Sequence, residues 1–255
     1  WAVGRVLSGI AISTLIGAPF STFAANHFGW RIAYLIIAIF GFLTFLGVWR
    51  YIPADTPNRK NSPLREVTAL GNTQVLLTLL TAAIGLGGMF AIYTYLTSVL
   101  QNVTHVPEWQ VMLFMVIWGF GMLAGANIGA WIVDRNLDIA ALLALAGSAA
   151  VMVVFPMLLH NGPALMVDVS LVPTFVNAPG PALQTRLMDF AGDAQTLAAS
   201  LNHSAFNIAN ASGAALGCVL LARQVGYVPL GFGGAVLSGD GVLVCILASL
   251  VLTRR

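Results

Sequence analysis

The amino-acid sequence predicts an all-α integral membrane protein of eight transmembrane helices. Charge is scarce: 8% of the 255 residues are charged against 58% hydrophobic. A soluble domain needs a surface with roughly 25% charge. The apolar residues fall into uncharged runs close to the roughly 20 residues that span a bilayer as a helix. The few basic residues then sort onto alternate sides of those runs, as membrane insertion demands.

The first uncharged run is Val6 to Trp30, which contains Gly17-Ala18-Pro19 and closes on the interfacial signal Phe28-Gly29-Trp30-Arg31. The second is Ile32 to Trp49, stopped by Arg50. The stretch 50–72 holds three prolines with Arg59, Lys60, Arg65 and Glu66, and reads as an aqueous linker. The third run, about Val75 to Leu100, is followed by a polar turn through Asn102, His105, Pro107 and Glu108. The fourth, Val111 to Val133, ends at Asp134-Arg135. With Asp138, these are the only Asp, Glu, Lys or Arg residues between Glu108 and Asp168. Small residues at Gly125 and Gly129 suit close packing of this helix on a neighbour.

The fifth run, Ile139 to Leu159, turns at His160-Asn161-Gly162-Pro163. The sixth, Ala164 to Thr185, contains Pro173, Pro179 and Pro181, whose rings remove backbone donors and clash with the preceding turn. A kinked or unwound helix is expected between Pro173 and Pro181. The seventh starts near Asp193 as N-cap and runs to Leu221, and the eighth runs from about Leu230 to Leu252, before Arg254-Arg255.

With the linker cytoplasmic, Arg5, Arg50, Arg59, Lys60, Arg65, Arg135, Arg186, Arg254 and Arg255 lie inside, and only Arg31 and Arg223 lie outside. Such a positive-inside bias also supports the count of eight, since one helix more or fewer would scramble the sides. An internal repeat is visible as well. Ser13, Gly17 and Ser21, followed by Gly29-Trp30, answer to Ala209, Gly213 and Gly217, followed by Gly226-Tyr227. Repeats of this kind build transporters from two helical bundles around a central site. The repeat implies three segments: 1–50, the last two helices of an N-terminal bundle; 51–72, the cytoplasmic linker; and 73–255, a six-helix C-terminal bundle. Four helices then precede the chain, which starts at Trp1 and reads as a fragment.

The Gly17-Ala18-Pro19 helix with Phe28-Gly29-Trp30-Arg31, the central linker, and Gly129 followed five residues later by Asp134-Arg135 resemble the major facilitator superfamily, and most closely its drug and sugar efflux branch, the arabinose-efflux-permease-like proteins. The resemblance implies helices five to twelve of a twelve-helix fold. It also implies a secondary transporter of the bacterial inner membrane, exporting a sugar or drug-like molecule by alternating access, with proton antiport. Two departures stand in the residues. Ala18 separates Gly17 from Pro19, and Ser21-Thr22 replace the glycine pair usual after the proline. After Arg135 come Asn136, Leu137 and Asp138 in place of further basic residues. The implied partners are the lipid bilayer, a small-molecule substrate and protons, with a monomer as the full-length state.

Candidate cavity residues are Tyr93, Trp118, Asn177, Asn207 and Asn210, which combine mid-span depth with hydrogen-bonding groups that hydrocarbon penalises. Packing and interhelical hydrogen bonding are the alternatives. Ser200, Asn202, His203 and Ser204 extend the polar face of the seventh span, whereas Trp131 reads as an interfacial anchor. Gating and bundle-interface candidates are Arg5, Gly17, Pro19, Gly129, Asp134 and Arg135. The architecture implied by the resemblance sets Asp134 beside the positive end of the first helix, where it is expected to act as a latch worth about 0.3–1 kcal/mol, the alternative being a solvated loop acid. Asp168 and Asp240, the acids placed within spans, are candidates for proton coupling.

Other classes lack support in the residues. The net charge of +2 is too small, and too scattered, to argue for nucleic acid. Cys218 and Cys245 sit in apolar runs as small hydrophobes, and no disulfide is expected. No nucleophile with base and orienter, no metal-ligand cluster and no cofactor motif is present, so no enzyme, metal or cofactor is expected. A channel or a structural membrane scaffold is the alternative to a transporter; a channel needs a ring of like residues or a carbonyl filter.

Overall fold

A computed structural model describes residues 13–51, 71–133 and 137–253. The chain divides into two units, Trp1–Ser62 and Pro63–Arg255. In the first, a π-helical turn (Ser13–Gly17) leads into α1 (Ala18–Phe28), and α2 (Trp30–Tyr51) follows. Pro19 stands at the second residue of α1, so its missing backbone donor falls where the π-helical turn passes into the α-helix. Gly29, at φ 85, separates the two helices in the left-handed region that glycine tolerates. The Arg31 guanidinium lies over the Trp30 ring, 5.4 Å from its centroid, which fixes an aromatic and a cation together at the helix end.

The second unit carries α3 (Thr73–Gly85), α4 (Gly87–Tyr93), α5 (Leu96–Asn102), α6 (Glu108–Val133), α7 (Leu137–Leu158), α8 (Gly162–Asn177), α9 (Pro179–Ala191), α10 (Gln195–Ala222) and α11 (Val228–Thr253). These nine helices make six traverses; in the first unit α2 is long enough for another, and the π-helical turn with α1 is the described part of the eighth membrane helix. Among the described residues six helical stretches are long and apolar enough to cross a membrane unaided. α8 and α9 are too short singly and cross as a pair.

The third span, expected at about Val75 to Leu100, is the stretch Thr73–Asn102, with two breaks the sequence did not suggest. It is interrupted at Leu86 and again at Thr94-Tyr95, where Tyr95 takes φ −111, ψ 4. Backbone approach explains the first break. A Cβ at Gly88 would overlap the carbonyl oxygen of Gly234 on α11, and one at Gly85 would stand 3.2 Å from the Gly241 Cα. α10 closes from another side, with Gly213 against the Gly87 carbonyl. At the second break the Tyr95 hydroxyl donates to the Ala214 carbonyl at 3.0 Å, tying the turn to α10.

α6 and α8 meet along a glycine ridge. Added Cβ atoms at Gly121, Gly125 and Gly129 would overlap the carbonyl oxygens of Ser170, Thr174 and Ala178 in turn. Four-residue spacing puts the three glycines on one face, so the two backbones touch over two turns. The Thr174 hydroxyl donates across this seam to the Gly121 carbonyl at 3.1 Å. The proline-rich traverse breaks where expected, but over a single residue. Ala178 keeps helical angles, φ −60 and ψ −38, and its N–H still donates to Thr174. The rings of Pro179 and Pro181 then remove the donors that would have bonded the Phe175 and Asn177 carbonyls.

The N-cap expected at Asp193 is instead Ala194, with no side-chain cap bond, after a 3-10 turn at Gly192–Ala194. Gly192 at φ 56 ends α9, and the tight turn moves the start of α10 on by one residue. The core of the unit is one apolar cluster in which Trp118, Phe114, Phe155, Leu86, Ile92 and Met152 are fully buried.

Candidate substrate-binding surface

Two groups of polar residues interrupt this apolar bundle, one sealed and one open. The sealed group ties the ends of α3, α9 and α11. Asn72 caps α3, accepting from the Gln74 N–H at 2.9 Å, and its amide donates to the Phe190 carbonyl at 3.0 Å. The Gln74 side chain donates to the Ala248 carbonyl at 3.0 Å and accepts from the Arg186 guanidinium at 3.1 Å. Arg186 and Gln74 are each only 3% exposed. Arg186, assigned from the sequence to a loop, is therefore a core residue of α9 that satisfies a glutamine 112 positions away. Thr78 and Thr81 continue the buried face of α3, each bonding the carbonyl four residues back.

The open group lies on α10. Ala205, Ala209 and Gly213 form its buried side, and Gly213 rests on α4. Opposite them His203, Asn207 and Asn210 follow at i, i+4 and i+7, with Ser200, Ser204 and Ala211 on the adjoining row, and all six are exposed. Asn207 and Asn210 make no hydrogen bond among the described residues, and Ser204 satisfies itself on the Ser200 carbonyl at 3.2 Å. A second exposed row on the same helix carries Ile208, Ala215 and Val219, and its one polar member, Ser212, turns its hydroxyl back onto the Ala209 carbonyl at 3.1 Å. One helix thus presents a wet-type and a lipid-type surface side by side.

The five cavity candidates divide accordingly. Tyr93 and Trp118 stack with centroids 5.0 Å apart, and Trp118, at 1% exposure, belongs to the core. Asn177 bonds the Pro173 carbonyl at 2.9 Å and reaches the Met89 sulfur at 3.8 Å, one turn along α4 from Tyr93. Those three gather where α4, α6 and α8 meet, whereas Asn207 and Asn210 stand on the exposed side of α10. Asp168 is buried in α8 and Asp240 is exposed on α11. Gly129 belongs to the ridge under Ala178, while a Cβ added at Gly17 would meet none of the described residues within 4 Å. Trp131 is exposed near the end of α6. Arg5, Asp134 and Arg135 lie outside the described residues, as does the latch they were expected to form.

The sequence reading missed the Gln74–Arg186 pairing. Polar residues at 74, 78 and 81 share a helix face and were the available signal, yet they do not point to a partner on α9.

Comparison with known proteins is consistent over nearly the whole chain. The family model of the Major Facilitator Superfamily matches residues 2–252. The inner membrane transport protein YdhP of Escherichia coli (strain K12) is 31% identical over 250 residues, covering 97% of this chain and 64% of that protein. A chloramphenicol resistance protein of Streptomyces lividans is 29% identical, over 97% of this chain and 63% of its own length. A probable sugar efflux transporter of Mannheimia succiniciproducens is 23% identical, over 99% and 64%. The chain spans less than two thirds of the length of these relatives.

Proposed function

The chain belongs to the major facilitator superfamily, and we propose that it forms helices five to twelve of a secondary transporter that exports a sugar or drug-like small molecule by alternating access and proton antiport. The observation that carries this reading is the exposed row of His203, Asn207 and Asn210 on a membrane-crossing helix. An amide moved from water into hydrocarbon without a partner loses roughly 2–7 kcal/mol. Several on one face are tolerated only against protein or an aqueous path. Amide and imidazole groups supply donors and acceptors without fixed charge, which suits a neutral polar solute that must be bound and then released. Tyr93 and Asn177 are the further contacts of this reading, with Trp118 as the wall behind Tyr93.

The names of the relatives, transport protein, resistance protein and sugar efflux transporter, support export of small molecules. The reading places the protein in the bacterial inner membrane as a monomer, with the linker and C-terminus cytoplasmic. A full-length protein carrying this chain, in inverted membrane vesicles with an acidified interior, should accumulate either radiolabelled chloramphenicol or a neutral labelled monosaccharide. Accumulation should vanish on adding a protonophore, and Asn207→Leu should lower it severalfold. Equilibration with no dependence on the proton gradient would remove antiport and favour a channel.

A further inference from the structure

The two acids placed within spans, Asp168 and Asp240, occupy opposite environments. Asp168 is 3% exposed, and its Oδ2 is closed from solvent without a hydrogen-bond partner. Asp240 stands exposed on α11, in register with the apolar Phe232, Val236 and Leu243. From this geometry we propose that Asp168 is a proton-binding site inside the second unit, apart from the polar row of α10 and serving the proton side of antiport. The proposal rests on the antiport reading for its role and on the burial of Asp168 for its existence.

Position and surroundings select the ligand. Asp168 lies six residues after Gly162, about 9 Å into α8 at a rise of 1.5 Å per residue. Leu165 and Val172, on the same face at i−3 and i+4, are fully buried. The elements packed on α8 bring few charges. α6 carries Glu108 alone, exposed at its first residue; the described side chains of α7 carry none; and α4 offers the Tyr93 phenol. α9 carries Arg186 and Asp189, but Arg186 lies 18 residues further on, beyond the break at Ala178, and is held against Gln74. His160, in the loop before α8, is exposed.

Among the described residues no cation therefore stands beside the carboxyl, and an uncompensated buried charge costs several kcal/mol. A metal ion is a poor occupant, because hard cations gather several oxygen ligands, and among the described residues no cluster of three acidic, histidine or cysteine side chains exists. A proton needs one oxygen. Uptake adds H⁺ to a carboxylate oxygen and gives the acid, with no other bond made or broken; release returns that proton to water.

Infrared difference spectroscopy tests the site without a known substrate. Full-length protein in liposomes, taken from alkaline to acid buffer, should gain a carbonyl stretch of a protonated carboxyl in an apolar setting. That band should be lost in Asp168→Asn, be displaced in Asp168→Glu and survive in Asp240→Asn. Its absence from the wild type, or its survival in Asp168→Asn, overturns the proposal. Should the band behave as stated while neither chloramphenicol nor monosaccharide export follows the proton gradient, the site stands and antiport falls. Gradient-driven export that persists in Asp168→Asn removes the site from coupling.

Discussion

The seam between α6 and α8 and the exposed row of α10 depart from the apolar background of this chain in opposite ways. Along the seam, Gly121, Gly125 and Gly129 remove side chains so that one backbone lies on another. Along α10, His203, Asn207 and Asn210 add polar groups that none of the described residues covers. In lipid, burying one more leucine gains little, since the tails outside are equally apolar. Contact then comes from smallness and function from polarity, and the Leu, Ile and Val between them fill space. The seam should therefore answer to volume and be indifferent to polarity, while the row should answer to polarity and leave stability untouched.

The largest effect is expected at the seam. Gly125→Leu and Gly129→Leu each drive a whole side chain into a backbone carbonyl of α8, and since a few extra methylenes in a packed core already cost about 1–3 kcal/mol, the loss here should exceed about 3 kcal/mol. Thermal unfolding in detergent should show a large drop for both. Gly239→Ala on α11, where an added Cβ meets nothing within 4 Å, should leave the midpoint unchanged or slightly higher. Equal losses at all three would dissolve the distinction between seam and surface.

An intermediate effect belongs to the sealed polar group. Gln74→Leu removes an acceptor from Arg186 and the donor to Ala248, and a hydrogen bond to a charged group is worth about 1.5–3 kcal/mol. Gln74→Glu keeps an acceptor for Arg186 and should recover part of that loss in the same measurement. The smallest stability change is predicted for the open row. Asn207→Leu and Asn210→Leu should shift stability by less than about 0.5 kcal/mol, as exposed substitutions do, while export falls severalfold.

Where the sequence was legible follows from the same contrast. The eight traverses could be read from charge-free runs, because a bilayer imposes a length, and the break between Pro173 and Pro181 could be read because proline acts locally on its own helix. The two breaks at Leu86 and Thr94-Tyr95 could not. They depend on Gly234, Gly241 and Ala214, which approach from other helices and leave no mark near residue 86. Arg186 looked like a loop cation because its partner Gln74 is 112 residues away. Depth alone could not separate Trp118 from Asn207, nor Asp168 from Asp240: facing, not position along the span, puts one of each pair in the core and the other outside.

The central claim is that the polar row of α10 meets water while the neighbouring apolar row meets lipid. Its most direct measurement is labelling by a membrane-impermeant thiol reagent in intact membranes. The full-length protein with Cys218 and Cys245 replaced by serine and alanine would carry single cysteines at Asn207, Asn210, Ile208 or Val219. The account predicts rapid labelling from at least one side of the membrane at 207 and 210, and none at 208 and 219. Equal protection at all four positions, or labelling at 208 and 219 in preference, would contradict it.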